Sequence, residues 1–295
     1  MIAVVIGAFV AGWLLQAVAR VPAAALRTAD RFVLAVALPA LVFSRLSESS
    51  LGGEVVVPVA VAWSVMGVCA ATVLVVARRA QWDDRTTGAL LMVAVLGNTS
   101  FLGLGVVESL LGDSHGAAAL AYDQPGTFLA LATWGSWVAS RYGSGVRGWR
   151  PVVRRLASFP PFLALVAALV LRPIDVPEPA TDVMSAVGST VAPVAMAAIG
   201  LRFSVSGVRR LQPVVTALTV KMLLAPAVVA AVAGAIGVWG QIAWQASIAQ
   251  AAAPPMVTAG IVAVASGLDD EMTTSVVGWG TLLGLAWMPF VAVLV

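Results

Sequence analysis

Gly97-Asn98-Thr99-Ser100-Phe101-Leu102-Gly103 and Ala253-Pro254-Pro255-Met256-Val257-Thr258-Ala259-Gly260 break two otherwise apolar runs. In the second, the ring of Pro255 removes a backbone donor and clashes with the preceding turn, and Pro254 is itself restricted by the proline that follows. In the first, two flanking glycines and three small polar residues loosen the helical ladder instead. Inside hydrocarbon, broken helix is tolerated only where protein or a water-filled cavity surrounds it. A lone glycine or proline in such a run would mean no more than a kink that shapes packing. A pair in corresponding positions points to a binding site at the membrane midplane. Half-helix N-termini there offer free N–H groups and partial positive charge, which suits an anion.

The surrounding sequence is that of a membrane protein. Of 295 residues, 60% are hydrophobic and 11% charged; a soluble domain carries about 25% charged residues. This excludes a soluble globular enzyme, a disordered chain and a nucleic-acid-binding domain. The net charge is only +3, and the arginines are scattered rather than gathered into a basic patch. Cys69 is the lone cysteine, so no intrachain disulfide can form. Hydropathy marks ten apolar segments, near 1–19, 31–46, 55–77, 86–111, 115–140, 159–172, 181–201, 211–234, 241–266 and 272–295. The second and sixth are short, and can borrow flanking residues or re-enter. No positive region precedes segment 1, so it reads as a retained transmembrane helix rather than a cleaved signal.

With the N-terminus outside, the loops that alternate to the cytoplasm hold fourteen arginines, among them Arg27, Arg78, Arg147 and Arg209, and the outer loops hold only Arg45 and Arg172. Positive charge is retained on the cytoplasmic side, so this asymmetry supports both the ten-span count and an orientation with both termini outside. The longest polar stretch, 141–158, lies mid-chain and reads as a cytoplasmic linker between halves 1–140 and 159–295. Landmarks in the halves recur at a nearly constant offset: Pro39 with Pro193, Pro58 with Pro213, and Leu111-Gly112-Asp113 with Gly267-Leu268-Asp269. Five spans per half force the second copy to enter from the opposite side. The predicted fold is therefore all-α, with ten helices in two inverted five-helix repeats and broken crossover helices in segments 4 and 9.

The span-4 run Gly97–Gly103, with a second apolar half-helix after it, resembles the crossover of the auxin efflux carrier family, which includes bacterial malate permease-like proteins and plant PIN-type carriers. Leu38-Pro39-Ala40-Leu41-Val42-Phe43, Asp123-Gln124-Pro125-Gly126-Thr127-Phe128, Phe159-Pro160-Pro161-Phe162, Lys221 to Pro226 and Pro254 to Gly260 also match, in order along the chain. The resemblance implies a fold akin to bile acid/sodium symporters. Helices 1, 2, 6 and 7 would form a scaffold that also dimerises, and helices 3–5 and 8–10 a transport domain that moves like an elevator. Asn98 matches the family's crossover asparagine and Pro254 its crossover proline. Gly97 departs from the pattern: plant members usually have proline there. The long cytosolic loop of the longer plant carriers is also absent, which speaks against auxin itself as substrate.

Several polar residues fall inside the apolar segments. Lys221 lies about ten residues into segment 8, where a lysine costs about 2.5–3.5 kcal/mol by insertion scales. It either faces the interior, paired with a carboxylate or substrate, or snorkels to the cytoplasmic interface. Asp123 and Gln124 lie in segment 5 and are the expected proton or coupling-ion site; Asp123 could instead be a partner for Lys221 or a group near the outer interface. Gln250 faces either a cavity or a neighbouring helix. The expected substrate-binding set is Asn98, Thr99, Ser100, Pro254, Pro255, Thr258, Gln250 and Lys221. Glu108 reads as a solvated helix end, as do Asp83-Asp84 and Asp269-Asp270-Glu271. His115, the sole histidine, falls in a short outer loop that argues against metal ligation. The ten tryptophans read as interfacial anchors.

These features favour a secondary transporter of the cytoplasmic membrane, carrying a small organic anion such as a mono- or dicarboxylate. It would need no cofactor or nucleic acid, would be coupled to H+ or Na+ or to neither, and would work as a homodimer embedded in lipid. An intramembrane lipid-modifying enzyme would call for an acidic metal motif or a His–Glu pair, which the segments lack. A channel is the remaining alternative, and saturable uptake separates it from a carrier.

Overall fold

Each apolar segment must satisfy its backbone internally, and does so as helix. The computed structural model describes residues 2–18, 21–48, 56–143, 154, 157–171, 177–203 and 210–295. Helix α1 is Ile2–Val18. Segment 2 is α2 (Ala23–Phe32), a π-helical turn (Val33–Ala37) and α3 (Leu38–Glu48) without a gap. It thus borrows flanking residues, and Arg27 and Arg31 ride on helix rather than loop. Segment 3 is α4 (Val56–Arg79). Segment 4 is α5 (Asp84–Val93), an unwound passage, a π-helical turn (Thr99–Gly103) and α6 (Leu104–Leu111). Segment 5 combines α7 (Gly116–Ala121), two π-helical stretches (Tyr122–Phe128 and Leu131–Gly135) and α8 (Ser136–Tyr142).

In the second half, segment 6 is α9 (Pro160–Leu171), and segment 7 is α10 (Glu178–Ser189) with α11 (Val191–Gly200). Segment 8 is α12 (Leu211–Leu218), a π-helical turn (Thr219–Leu224) and α13 (Ala225–Ala235). Segment 9 is α14 (Ile242–Ala251) and α15 (Val257–Ala265), separated by the double proline, and segment 10 is α16 (Asp270–Leu294). Among the described residues, four helical runs are long and apolar enough to cross a membrane by themselves: Val56–Arg79, Pro179–Gly200, Leu211–Ala235 and Asp270–Leu294. Apolar side chains such as Val56, Leu211, Phe290 and Val293 point outward. The chain is a multi-pass, all-α membrane protein, with no β-strand among the described residues.

The π-helical turns have a local cause in two places. Leu38 N–H bonds back to Val33 O immediately before Pro39, and Ala225 N–H to Val220 O immediately before Pro226. Widening the turn by one residue makes room for a ring that lacks a donor and would strike the turn behind it.

Packing falls into two sets of neighbours. Helix α1 packs on α11, while α3 packs on α9 and α10. Separately, α14 packs on α4, α7 and α13, α16 on α6 and α12, and α15 on α5. The sets meet where α11 touches α15. Asp30 and Arg202 join the ends of α2 and α11 through a salt bridge of 2.7 Å. Asp83 and Asp269 cap α5 and α16, accepting from the N–H groups of Thr86 and Met272. These acidic residues therefore do more than solvate helix ends. Thr86 Oγ1 donates to Asp269 at 2.8 Å, and Arg85 Nε to Gly267 O at 2.9 Å, tying the start of segment 4 to the loop after segment 9. Most of the 141–158 linker lies outside the described residues, with Arg20, Arg147, Arg150, Arg155, Arg172 and Arg209 and the side chain of Arg45.

Candidate functional site

The two breaks cross and bond to each other. Gly97 and Pro255 form an isolated antiparallel bridge. Asn98 N–H donates to Pro254 O at 2.7 Å, and Met256 N–H to Leu96 O at 3.0 Å. Each unwound stretch thus satisfies part of the other's backbone, as a broken helix away from water must. The helix after Asn98 and α15 both begin at the crossing, neither with a side-chain cap. The first amides of each have no partner within their own helix and carry the positive end of its dipole. Helices α5 and α14 end there, and two distant side chains serve their carbonyls. Trp134 Nε1 donates to Leu91 O at 3.0 Å, and Lys221 Nζ to Ala251 O at 2.6 Å.

Lys221 is 3% exposed and lies in the π-helical turn of segment 8. Its ammonium points inward and sits at the negative end of α14, a favourable place for a cation. The snorkelling alternative is excluded. One of its three protons is committed to Ala251 O, and no salt bridge engages it among the described residues. Asp123, 1% exposed, is equally interior and lies in a π-helical stretch of segment 5. One carboxylate oxygen accepts from Thr99 Oγ1 and Ser100 Oγ, each at 2.6 Å. The hydroxyls of the first break thus hold Asp123, and Lys221 is anchored at the second. Gln124 is buried beside Asp123.

Gln250 bonds a neighbouring helix. Its Nε2 donates to Ala119 O at 3.0 Å, while its Oε1 has no protein partner. Both amide atoms of Asn98 and the hydroxyl of Thr258 are buried without a protein partner as well. Leaving such groups unpaired costs about 1–3 kcal/mol each, so a cluster of them marks a place where something polar belongs. Pro254 and Pro255 are seated by α16: a Cβ on Gly284 would lie 2.6 Å from Pro254 Cγ, and one on Gly280 would lie 2.5 Å from Pro255 Cδ.

The membrane transport protein family matches residues 1–142 and 149–292. The chain belongs to this family, that of the auxin efflux carriers. Two archaeal proteins are similar to it in sequence. An uncharacterized transporter of Methanothermobacter thermautotrophicus is 25% identical over 266 residues, 89% of this chain and 86% of that protein. An uncharacterized transporter of Methanocaldococcus jannaschii is 25% identical over 146 residues, 48% of this chain and 46% of the relative. As a membrane transport protein with relatives so named, the chain is a transporter.

Of the expected site residues, the crossing gathers Asn98, Thr99, Ser100, Pro254, Pro255, Thr258, Gln250 and Lys221, with Asp123 held at its edge. Thr281, one residue beyond Gly280 on α16, also has a buried hydroxyl without a protein partner. Sequence reasoning missed the seats Gly280 and Gly284, although a pair of small residues four apart is a recognisable close-packing signal in membrane helices. Two tryptophans are not only interfacial anchors: Trp134 serves α5, and Trp63 Nε1 donates to Pro125 O at 3.1 Å in the π-helical stretch of segment 5. His115 bonds to Gln245 Oε1 at 3.0 Å, and Glu108 is exposed as expected of a helix end.

Proposed function

We propose that the protein is a secondary active transporter that moves a small organic anion, such as a mono- or dicarboxylate, across the cytoplasmic membrane. One observation carries the reading. The two breaks meet in a buried crossing that holds an interior ammonium, Lys221, and unpartnered polar atoms of Asn98, Gln250 and Thr258. An anion docked there meets the N-termini of two half-helices, the remaining protons of Lys221 and the Asn98 amide. Alternating access then requires a moving part. The packing of segments 3–5 with 8–10 is compatible with an elevator-type shift of a transport domain against a scaffold of segments 1, 2, 6 and 7, which it touches through α11 and α15; dimerisation through that scaffold is part of the proposal. The ten-helix inverted repeat and the outward termini belong to the same reading. Asp123, gripped by Thr99 and Ser100, is the group we assign to proton or sodium coupling.

The test is uptake of labelled malate and related acids by proteoliposomes. Saturable uptake is expected, and Asn98→Ala and Lys221→Met should each reduce kcat/KM by about tenfold to a hundredfold. Uptake that never saturates would indicate a channel. Absence of any carboxylate transport, together with wild-type behaviour of both variants, would sink the proposal.

A further inference from the structure

Two glycines bracket the first break, and each has a polar side chain of the second half lying where its Cβ would be. A Cβ on Gly97 would lie 2.7 Å from Lys221 Cε and 3.0 Å from Lys221 Nζ. A Cβ on Gly103 would lie 2.0 Å from Gln250 Oε1 and 3.0 Å from its Cδ. Neither glycine has a positive φ, so neither is required by backbone conformation. What each provides is room. The displaced atoms in both cases are the ends of flexible side chains, so a methyl group there is sterically cheap but moves the polar group.

We infer that Gly97 and Gly103 are positioning residues: they seat the Lys221 ammonium and the Gln250 amide against the unwound backbone on either side of Asn98. The seats link the two halves in a way the backbone bridge alone does not. Gly97 keeps Lys221 within reach of both Ala251 O and the crossing, and Gly103 keeps Gln250 on Ala119 O with its Oε1 turned to the break. The consequence for transport rests on the reading that the crossing binds a carboxylate; the seating itself does not.

The experiment therefore has two arms. The first needs no substrate. Gly97→Ala should lower Tm by about 2–3 °C in the wild-type background. In a Lys221→Ala background, where the side chain it displaces is gone, the same substitution should move Tm by less than about 1 °C. In the second arm, Gly97→Ala and Gly103→Ala should each raise KM for the transported acid about tenfold while kcat stays within about twofold. Tm should move by no more than about 3 °C. Each KM effect should vanish when Lys221→Met or Gln250→Ala, respectively, is already present. Equal penalties in both backgrounds would overturn the inference, as would a loss of folding in every glycine variant. If the wild-type protein carries no carboxylate, the transport reading fails while the thermal arm still decides the seating.

Discussion

The two breaks reach the same unwound geometry by opposite means. The first is made of glycines and small polar residues, and its side chains act: Thr99 and Ser100 grip Asp123, and Asn98 presents an unpaired amide. The second is made of two prolines, which cannot donate, and its contribution is largely backbone: Pro254 O accepts from Asn98, and Ala251 O accepts from Lys221. The difference extends to their packing. Around the first break, glycines make room for flexible, polar chain ends; around the second, glycines of α16 make room for rigid rings. One break is thus adaptable and chemically equipped, and the other is a fixed frame against which it is held.

The sharpest way to break this contrast is to add the same methyl group on both sides. At Gly280 and Gly284 the obstructing atoms belong to proline rings, which cannot rotate away. Gly280→Ala combined with Gly284→Ala should lower Tm by about 5–10 °C, the overpacking cost of a well-filled site. Gly97→Ala should cost far less. Equal losses in thermal scans of the purified variants would erase the distinction between rigid and adaptable seats. A smaller effect sharpens the chemical side of the comparison. Asp123→Asn should lower uptake about tenfold and remove its dependence on the driving cation gradient. Thr258→Val, at the second break, should raise KM but leave that dependence intact. Uptake by Asp123→Asn that still follows the gradient would detach the first break from coupling.

The breaks are legible in the sequence because glycine, asparagine and proline act on the backbone within a turn of where they stand. The same locality narrows Lys221 and Asp123 to an interior or an interfacial place, since an ionisable residue amid apolar ones has few places to go; only the structure sends both inward. What each of them holds was not readable. Asp123 was open to pairing with Lys221; the structure gives it to Thr99 and Ser100 and sends Lys221 to a helix end. That outcome depends on how segments far apart in the chain are rotated against each other, and no local pattern encodes rotation. Thr281 is hidden for a related reason: a threonine in an apolar helix bonds its own preceding turn more often than a ligand, so only its unpartnered hydroxyl reveals it. The π-helical turns before Pro39 and Pro226 were within reach, because a proline inside a long apolar run demands either a kink or an extra residue.

The smallest effect lies at the cytoplasmic approach to the breaks, where the two segments are again treated differently. Segment 4 starts from a capping carboxylate, Asp83, whereas segment 9 ends at Gly267, with φ 75°, on whose carbonyl Arg85 closes. Partial burial pushes the Asp83 carboxyl up, but the Thr86 amide and hydroxyl and the Arg210 guanidinium together outweigh it and hold the group below the usual carboxylate range. Its contribution to stability is therefore complete above the unfolded value, near pH 4, and is lost as pH falls through the lower folded value. The Arg210 contact, 3.4 Å between two exposed groups, adds little in salt. What remains is the cap, worth about 1 kcal/mol, so Asp83→Ala should lower Tm by about 2 °C at pH 7. Asn caps nearly as well as Asp, so Asp83→Asn should lose only the charge-dependent part, and its Tm should converge with that of the wild type as the pH falls through the lowered folded value. If Asp83→Ala instead costs as much as the paired glycine substitutions in α16, then the entry to the first break is as rigid as the frame of the second, and the adaptable side of the crossing is confined to Gly97–Gly103 alone.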